Sequence, residues 1–400
     1  MKLFLLILLV SLGTFSTNLY VPALPKMVPL FHTNIISIQQ SLVSFTYGFA
    51  VCMLFSGVLA DSIGRKKTLL MGIFIYIFAS LSILFCHHLS LLIFLRFLQG
   101  VGGCCGTVVA RVIVRDQCED QKAVGVLALL SSGMAIAFIL GPLIGSFLVN
   151  FFSWRACFVL LFLIGIGIFL LLALFLPETK PKISSPQKIT LSFIFSQYVR
   201  ALQSKNFVVH TAMISICWTG FFLIMMEYPF IIMNQLKYSI VNFGLTFSIM
   251  LAAYLMGSRI ANLLSRLTIS SDTAVMYGLM VMSFAGIIAL ADSHHVNEVV
   301  LIVAGFVYLL GMGIQIPNSQ FAAIPPEEKG SAIVTSLLYF IEMFLVAGLS
   351  NYFKSHFSTS PTVLWSVILI FILMSLFILM CFISSGGSTS ASACKVRLER

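Results

Sequence analysis

Apolar residues run along this chain in long blocks, separated by short clusters of Pro, Gly, Asn, Ser and charged residues. The blocks fall at about 3–20, 41–60, 68–86, 89–112, 122–148, 155–176, 206–233, 240–264, 273–292, 297–321, 330–353 and 359–383. A helix that crosses a bilayer takes about 20 apolar residues, and most of these blocks reach that length. Stretches such as Phe74–Cys86 and Leu160–Leu176 are apolar at successive rather than alternate positions, which argues for helices and against barrel strands. A helix also satisfies its own backbone hydrogen bonds, as lipid requires. The pattern predicts an all-α membrane protein of about twelve transmembrane helices. Turn residues separate the spans: Pro22, Pro25 and Pro29 after the first, Asp61–Lys67 after the second, Ser153 before the sixth. The longest hydrophilic interruption, 177–205, divides the chain into a six-helix bundle at 1–176, a linker, and a second bundle at 206–383. Within the linker, Leu191–Leu202 has the pattern of an amphipathic helix lying on the membrane surface. The Ser/Gly-rich tail, 384–400, is expected to be disordered. The opening Met1-Lys2 and Leu3–Leu12 imitate a signal peptide, but no small-residue cleavage site follows, so this is read as a retained first span.

Composition agrees. Of 400 residues 60% are hydrophobic and 9% charged, whereas soluble chains average about 45–50% and 25%. The net charge of +10 does not mark a nucleic-acid binder, because the 23 basic residues are scattered among the loops. In a membrane protein such charges report topology. With the N-terminus in the cytoplasm, 17 Lys and Arg face inward and four, Lys26, Arg155, Lys237 and Lys354, face outward, while Arg96 and Arg111 fall in a span. That bias predicts an even number of spans with both termini cytoplasmic. The nine cysteines form no CxxC pair and sit mostly within apolar runs, as small packing residues, so neither a disulfide nor a metal site is expected. His87-His88 and His294-His295 lie in loops and lack a third ligand. No phosphate-binding Gly-rich loop is present to make ATP the energy source. The chain reads as a non-enzyme without a cofactor.

Several segments combine in a way composition does not explain. Gly57-Val-Leu-Ala-Asp61 closes the second span, and Gly257-Ser-Arg-Ile-Ala-Asn262 closes the eighth, each before a basic turn. Two six-helix halves related by an axis along the membrane normal are a transporter architecture, with the substrate site near the midplane. The segment Gly57–Lys67, GVLADSIGRKK, resembles the loop signature of the major facilitator superfamily. The resemblance implies a cytoplasmic gate in which Gly57 permits close helix contact, Gly64 a tight turn and Arg65 adds to the basic run, while Arg115, beside Asp116, supplies the charge opposing Asp61. Arg96-Phe-Leu-Gln99-Gly100 in the fourth span is similar to the motif of proton-coupled facilitators. An Arg within a span costs about 2.5–3.5 kcal/mol on insertion scales, so it marks function by default. In the fifth span Gly133, Gly141, Pro142 and Gly145 fall as in the antiporter motif, with Ala137 and Ser146 where the family usually has Gly. Small residues at this spacing let helices approach closely. The first-span ending Ser16-Thr-Asn18-Leu-Tyr20-Val-Pro22-Ala-Leu-Pro25, together with Trp154-Arg155, Leu176-Pro-Glu-Thr179 and Gly330-Ser-Ala332, is similar to the Bcr/CflA-type exporters, drug:proton antiporters of 12 spans.

One departure bears on mechanism. That branch usually has Asp where this chain has Asn18, and Asn cannot carry a proton. Two other carboxylates lie within spans, Glu227 and Glu342. Burial disfavours a carboxyl's charged form, which suits it to take up and release a proton. The resemblance thus implies a proton-coupled exporter of drugs or other small molecules in a bacterial inner membrane. Proton coupling would fall to Arg96, Glu227 and Glu342, and the substrate cavity to Asn18, Tyr20, Arg96, Gln99 and Glu227. Its partners would be the substrate, protons and the lipid bilayer, with no nucleic acid, no metal and a monomeric state. One rival is an exporter of an anionic metabolite such as a siderophore, since Arg96 without its usual acidic neighbour would receive a substrate carboxylate. The other is a non-transporting receptor or scaffold.

Overall fold

The computed structural model describes residues 2–117, 120–179, 191–291, 297–324, 332–356 and 360–385. Among these, twelve helices are long and apolar enough to cross a membrane. The first is α1 (Lys2–Tyr20), which passes through a 3-10 turn at Val21–Ala23 into the short α2 (Leu24–Leu30). Then follow α3 (Ile35–Ile63), α4 (Arg65–Leu84), α5 (Leu89–Gln117), α6 (Asp120–Phe151) and α7 (Trp154–Phe175). The linker contributes α8 (Leu191–Gln203), the amphipathic segment expected from its pattern. The second set is α9 (Lys205–Phe230), α10 (Ile240–Arg266), α11 (Ser271–Ala291), α12 (Glu298–Ala323), α13 (Ala332–His356) and α14 (Pro361–Ser384). Several features expected from sequence lie outside the described residues: residues 180–190 of the linker, nearly all of the tail, His294, His295, Gly330 and the side chain of Arg115.

Helix ends are set by capping rather than by hydropathy. α3 begins at Ile35, ahead of its apolar block, because the Asn34 side chain accepts the Ser37 amide at 2.8 Å. Gln39 and Gln40 are thereby helical. α13 runs past its block to His356, and Lys354 lies in its last turn. α9 contains Pro229, which lacks an amide donor, and passes into a π turn over Ile231–Gln235.

Two compact units are present. The first contains Met1–Phe193, Met225–Ser248 and Tyr339–His356, and the second Ile194–Ile224, Ile249–Leu338 and Phe357–Arg400. The unit boundaries therefore do not follow the midpoint of the chain. In the first unit α3 crosses α5 where Gly48 meets the Phe97 carbonyl and Gly100 meets the Phe45 carbonyl. A Cβ at either position would collide with backbone. In the second unit α10 crosses α12 the same way, Gly257 against Gly313 and the Leu310 carbonyl. Gly48 and Gly100, rather than Gly57, make in the first unit the kind of contact that Gly257 makes in the second. Gly57 was expected to permit close helix contact, yet a Cβ there would meet nothing within 4 Å.

Three of the four cations assigned to outer loops are tied down. Lys26 donates to the Val149 carbonyl at 3.2 Å, and Arg155 to those of Leu84 and Cys86 at 3.0 and 3.3 Å. These carbonyls lie at or just beyond the C-terminal ends of α6 and α4, where backbone acceptors lack helical partners and cations are favoured. Lys354 is the third. Lys237 is exposed.

Candidate functional site

The turn after α3 is built on Gly64, at φ +105°, a conformation side chains rarely adopt. A Cβ there would also run into the Glu178 carboxylate. Glu178, beyond the end of α7, accepts the Arg65 amide at 2.9 Å and so caps α4. Arg65 is the hub of this end. Its guanidinium bonds Asp61 at 2.8 Å, Asp116 at 2.9 Å and the Ala60 carbonyl at 2.9 Å. Asp61 pairs with Arg65, one turn on, because i and i+4 side chains share a helix face; the Arg115 side of the expected gate lies outside the described residues. Lys66 donates to the Ala173 carbonyl at 2.8 Å, at the end of α7.

Arg96 is fully buried in the first unit. Its guanidinium lies 4.8 Å from the Tyr20 ring, 4.5 Å from Phe45 and 5.8 Å from Phe158. Desolvated cation–π contacts of this kind are worth about 2 kcal/mol or more. Nη1 donates to Gln99 at 2.5 Å, Gln99 to Ser80 at 2.8 Å, and Ser80 to the Tyr76 carbonyl at 2.7 Å. Nε and Nη2 have no hydrogen-bond partner. Tyr20 bonds Ser41 at 2.9 Å. Asn18, expected beside Arg96, instead meets Gly141 of α6 and donates to the Thr14 carbonyl at 2.9 Å. The predicted cavity residues Asn18, Tyr20, Arg96 and Gln99 are all buried among packed helices. Gly133 and Gly145, like Gly141, face α1, meeting Ile7 and Leu19. Pro142 and Ser146 face Gly244 of α10, and Ser248 of α10 donates to the Ile139 carbonyl at 2.8 Å.

Glu227 and Glu342 have different surroundings. Glu227 is 2% exposed and forms an ion pair with Lys354, itself 5% exposed. Gln39 donates to Glu227 at 3.0 Å and to the Met226 carbonyl at 2.8 Å. One residue on, Gln40 donates to Asn351. Three helices distant in sequence, α3, α9 and α13, thus meet through polar groups at the Gln39 end of α3. Hydropathy missed Lys354, Gln39 and Asn351, which lie beyond or at the margins of the apolar blocks.

Glu342 is 1% exposed, forms no ion pair among the described residues, and its Oε2 has no hydrogen-bond partner. Arg111 is the cation that acts on it. The Arg111 guanidinium lies 5.5 Å from the Tyr339 ring, one turn before Glu342, and also contacts the Met134 sulfur at 3.4 Å. Beside them Cys52, Met53, Cys104 and Cys105 pack with Tyr339 and Phe340. The second unit holds a pair the sequence reading did not single out, His210 and Asp272, both buried and 3.3 Å apart. A His within an apolar run and an Asp in a span's first turn were its signal.

Residues 4–336 match the profile of the Major Facilitator Superfamily. Multidrug resistance protein D of Escherichia coli (strain K12) is 31% identical over 179 residues, 45% of each chain, so this chain spans under half the length of that relative. An uncharacterized transporter of Rickettsia felis is 25% identical over 98% of this chain and 95% of its own. A crystal structure of a D-xylose-proton symporter superposes with a TM-score of 0.73 at 13% identity, covering 94% of this chain and 96% of that one. At that identity the likeness concerns the fold.

Proposed function

The chain belongs to the Major Facilitator Superfamily, and from that premise we propose that it is a proton-coupled exporter of drugs or similar small molecules, of the Bcr/CflA kind, in a bacterial inner membrane. It is a transporter and not an enzyme. The bias of 17 inward to four outward cations puts the Asp61 end of α3 on the cytoplasmic side and the Gln39 end outside. The name of the multidrug resistance relative supports export of small molecules.

The observation that carries proton coupling is Glu342. Antiport needs a group that takes a proton on one side and gives it up on the other. Asn18 cannot titrate and Arg96 stays protonated. Glu227 is already engaged, in an ion pair with Lys354 and as acceptor from Gln39. Glu342 is buried mid-helix with an unpartnered oxygen and one cation, Arg111, acting on it. We assign it the proton, with Glu227 second. Arg96 becomes a fixed positive charge, held by its ring cage. A carboxylate-bearing substrate is the second reading, favoured by the two unpartnered donors of Arg96.

Everted vesicles test this. With Glu342→Gln, gradient-driven transport of a cationic dye should fall at least about tenfold, while dye binding persists because Gln keeps the shape. Undiminished transport in Glu342→Gln, in Glu227→Gln and in the double variant overturns the assignment. Transport of carboxylate-rich compounds alone, lost in Arg96→Gln, decides for the second reading.

A further inference from the structure

Two of the three helices joined at the Gln39 end change unit along their length. The earlier residues of α9 and α13, up to Ile224 and Leu338, belong to the second compact unit, whereas their later residues belong to the first. Within the first unit their tips are joined to each other by Lys354 and Glu227, and to α3 by Gln39, which donates to Glu227 and Met226, and by Gln40, which donates to Asn351. A charge pair taken out of water holds while both partners are present. It becomes unfavourable once either is removed, because the survivor is left desolvated. That asymmetry gives two discrete states, where apolar contact would loosen gradually. The same cluster contains acceptors that this arrangement leaves unused. Gln39 Oε1 and Glu227 Oε2 are buried without a hydrogen-bond partner. These oxygens are available to a new partner when the pair is rearranged.

We infer that the Glu227–Lys354 pair with Gln39 is a releasable lock that closes the Gln39 end, which makes Lys354 and Gln39 gating residues of the transport cycle. The inference takes from the proposed function only that this end must open during transport. Protein that never opens there keeps the pair, and protein that lacks the pair stays open longer.

The test reads opening without transport. A cysteine introduced at Ser350, one turn before Lys354, is labelled with a membrane-impermeant maleimide in spheroplasts, against the parent protein as background. Labelling should be slow in the otherwise native chain, and at least about tenfold faster with Lys354→Met or Glu227→Gln. It should slow again in the charge-swapped double variant, Glu227→Lys with Lys354→Glu, whose lysine finds the spare Gln39 oxygen. Equal labelling in all variants, or a swap as fast as the single changes, overturns the lock. Running the same labelling in everted vesicles separates a reversed orientation from an absent lock. As a milder perturbation, cysteines at Gln40 and Asn351, whose side chains already touch, are joined by oxidation. Export should stop and return with reductant; export unaffected by the cross-link also overturns the lock. A chain that labels as expected but exports no compound keeps the lock and refutes the exporter.

Discussion

The two ends of α3 carry charge clusters of opposite character. Gln39 and Asp61 are separated by about 33 Å along the helix. At the Asp61 end the hub is Arg65, whose side chain is 7% exposed, but Asp61 is 43% exposed, and Arg65 follows it in sequence by one turn. At the Gln39 end both ions are almost fully enclosed, and the acid and base come from helices remote from α3 and from each other. Water at the first end lowers the value of the pair and the penalty for breaking it. Its exclusion at the second raises both. The Asp61 cluster is therefore suited to shaping a turn, with Glu178 and Gly64 fixing the start of α4, and the Gln39 cluster to holding distant helices together.

The sharpest break of that contrast is Lys354→Met. It leaves the Glu227 carboxylate buried and unpaired, and should destabilise the protein by about 3–5 kcal/mol. The double variant with Glu227→Gln should recover much of that loss in thermal melts of purified protein. If the double variant melts no higher than Lys354→Met alone, the unpaired charge is not the cause. Arg65→Ala should have a smaller effect, about 1–3 kcal/mol, since Asp61 can turn to water when its partner is gone. A loss as large as that for Lys354 would show the Asp61 end to be equally dry. Smallest is Asp61→Asn, under about 1 kcal/mol in stability. Its effect should shrink further in 1 M salt, where the Debye length falls to about 3 Å. Export by this variant should nonetheless drop, because the turn loses the charge that orients Arg65. Export at the native rate removes Asp61 from the gate.

How much of this was legible in the sequence depended on where a residue stood relative to the apolar blocks. The twelve helices, the linker and the Gly64 turn follow from local pattern. Arg96 stood out as a cation in a span, but its cage did not, because Tyr20, Phe45 and Phe158 come from three other helices. The lock was least visible. Hydropathy finds the middle of a span, and Gln39 and Lys354 lie outside that window, so Lys354 was counted as an ordinary loop cation. Lys26 and Arg155 were counted in the same way, and their bonds to carbonyls at helix ends are a local role that a one-dimensional count of loop charge does not reveal.

The cap that Glu178 places on α4 has a practical consequence for anyone expressing the two halves as separate polypeptides. Glu178 lies past the last spanning residue of the first half, where a designer guided by span limits alone would cut. A break after Leu176 would hand this carboxylate to the wrong fragment and strip the Arg65 amide of its acceptor. A break placed after Thr179 keeps the first fragment's turn complete, with the capping carboxylate and the amide it accepts on one polypeptide.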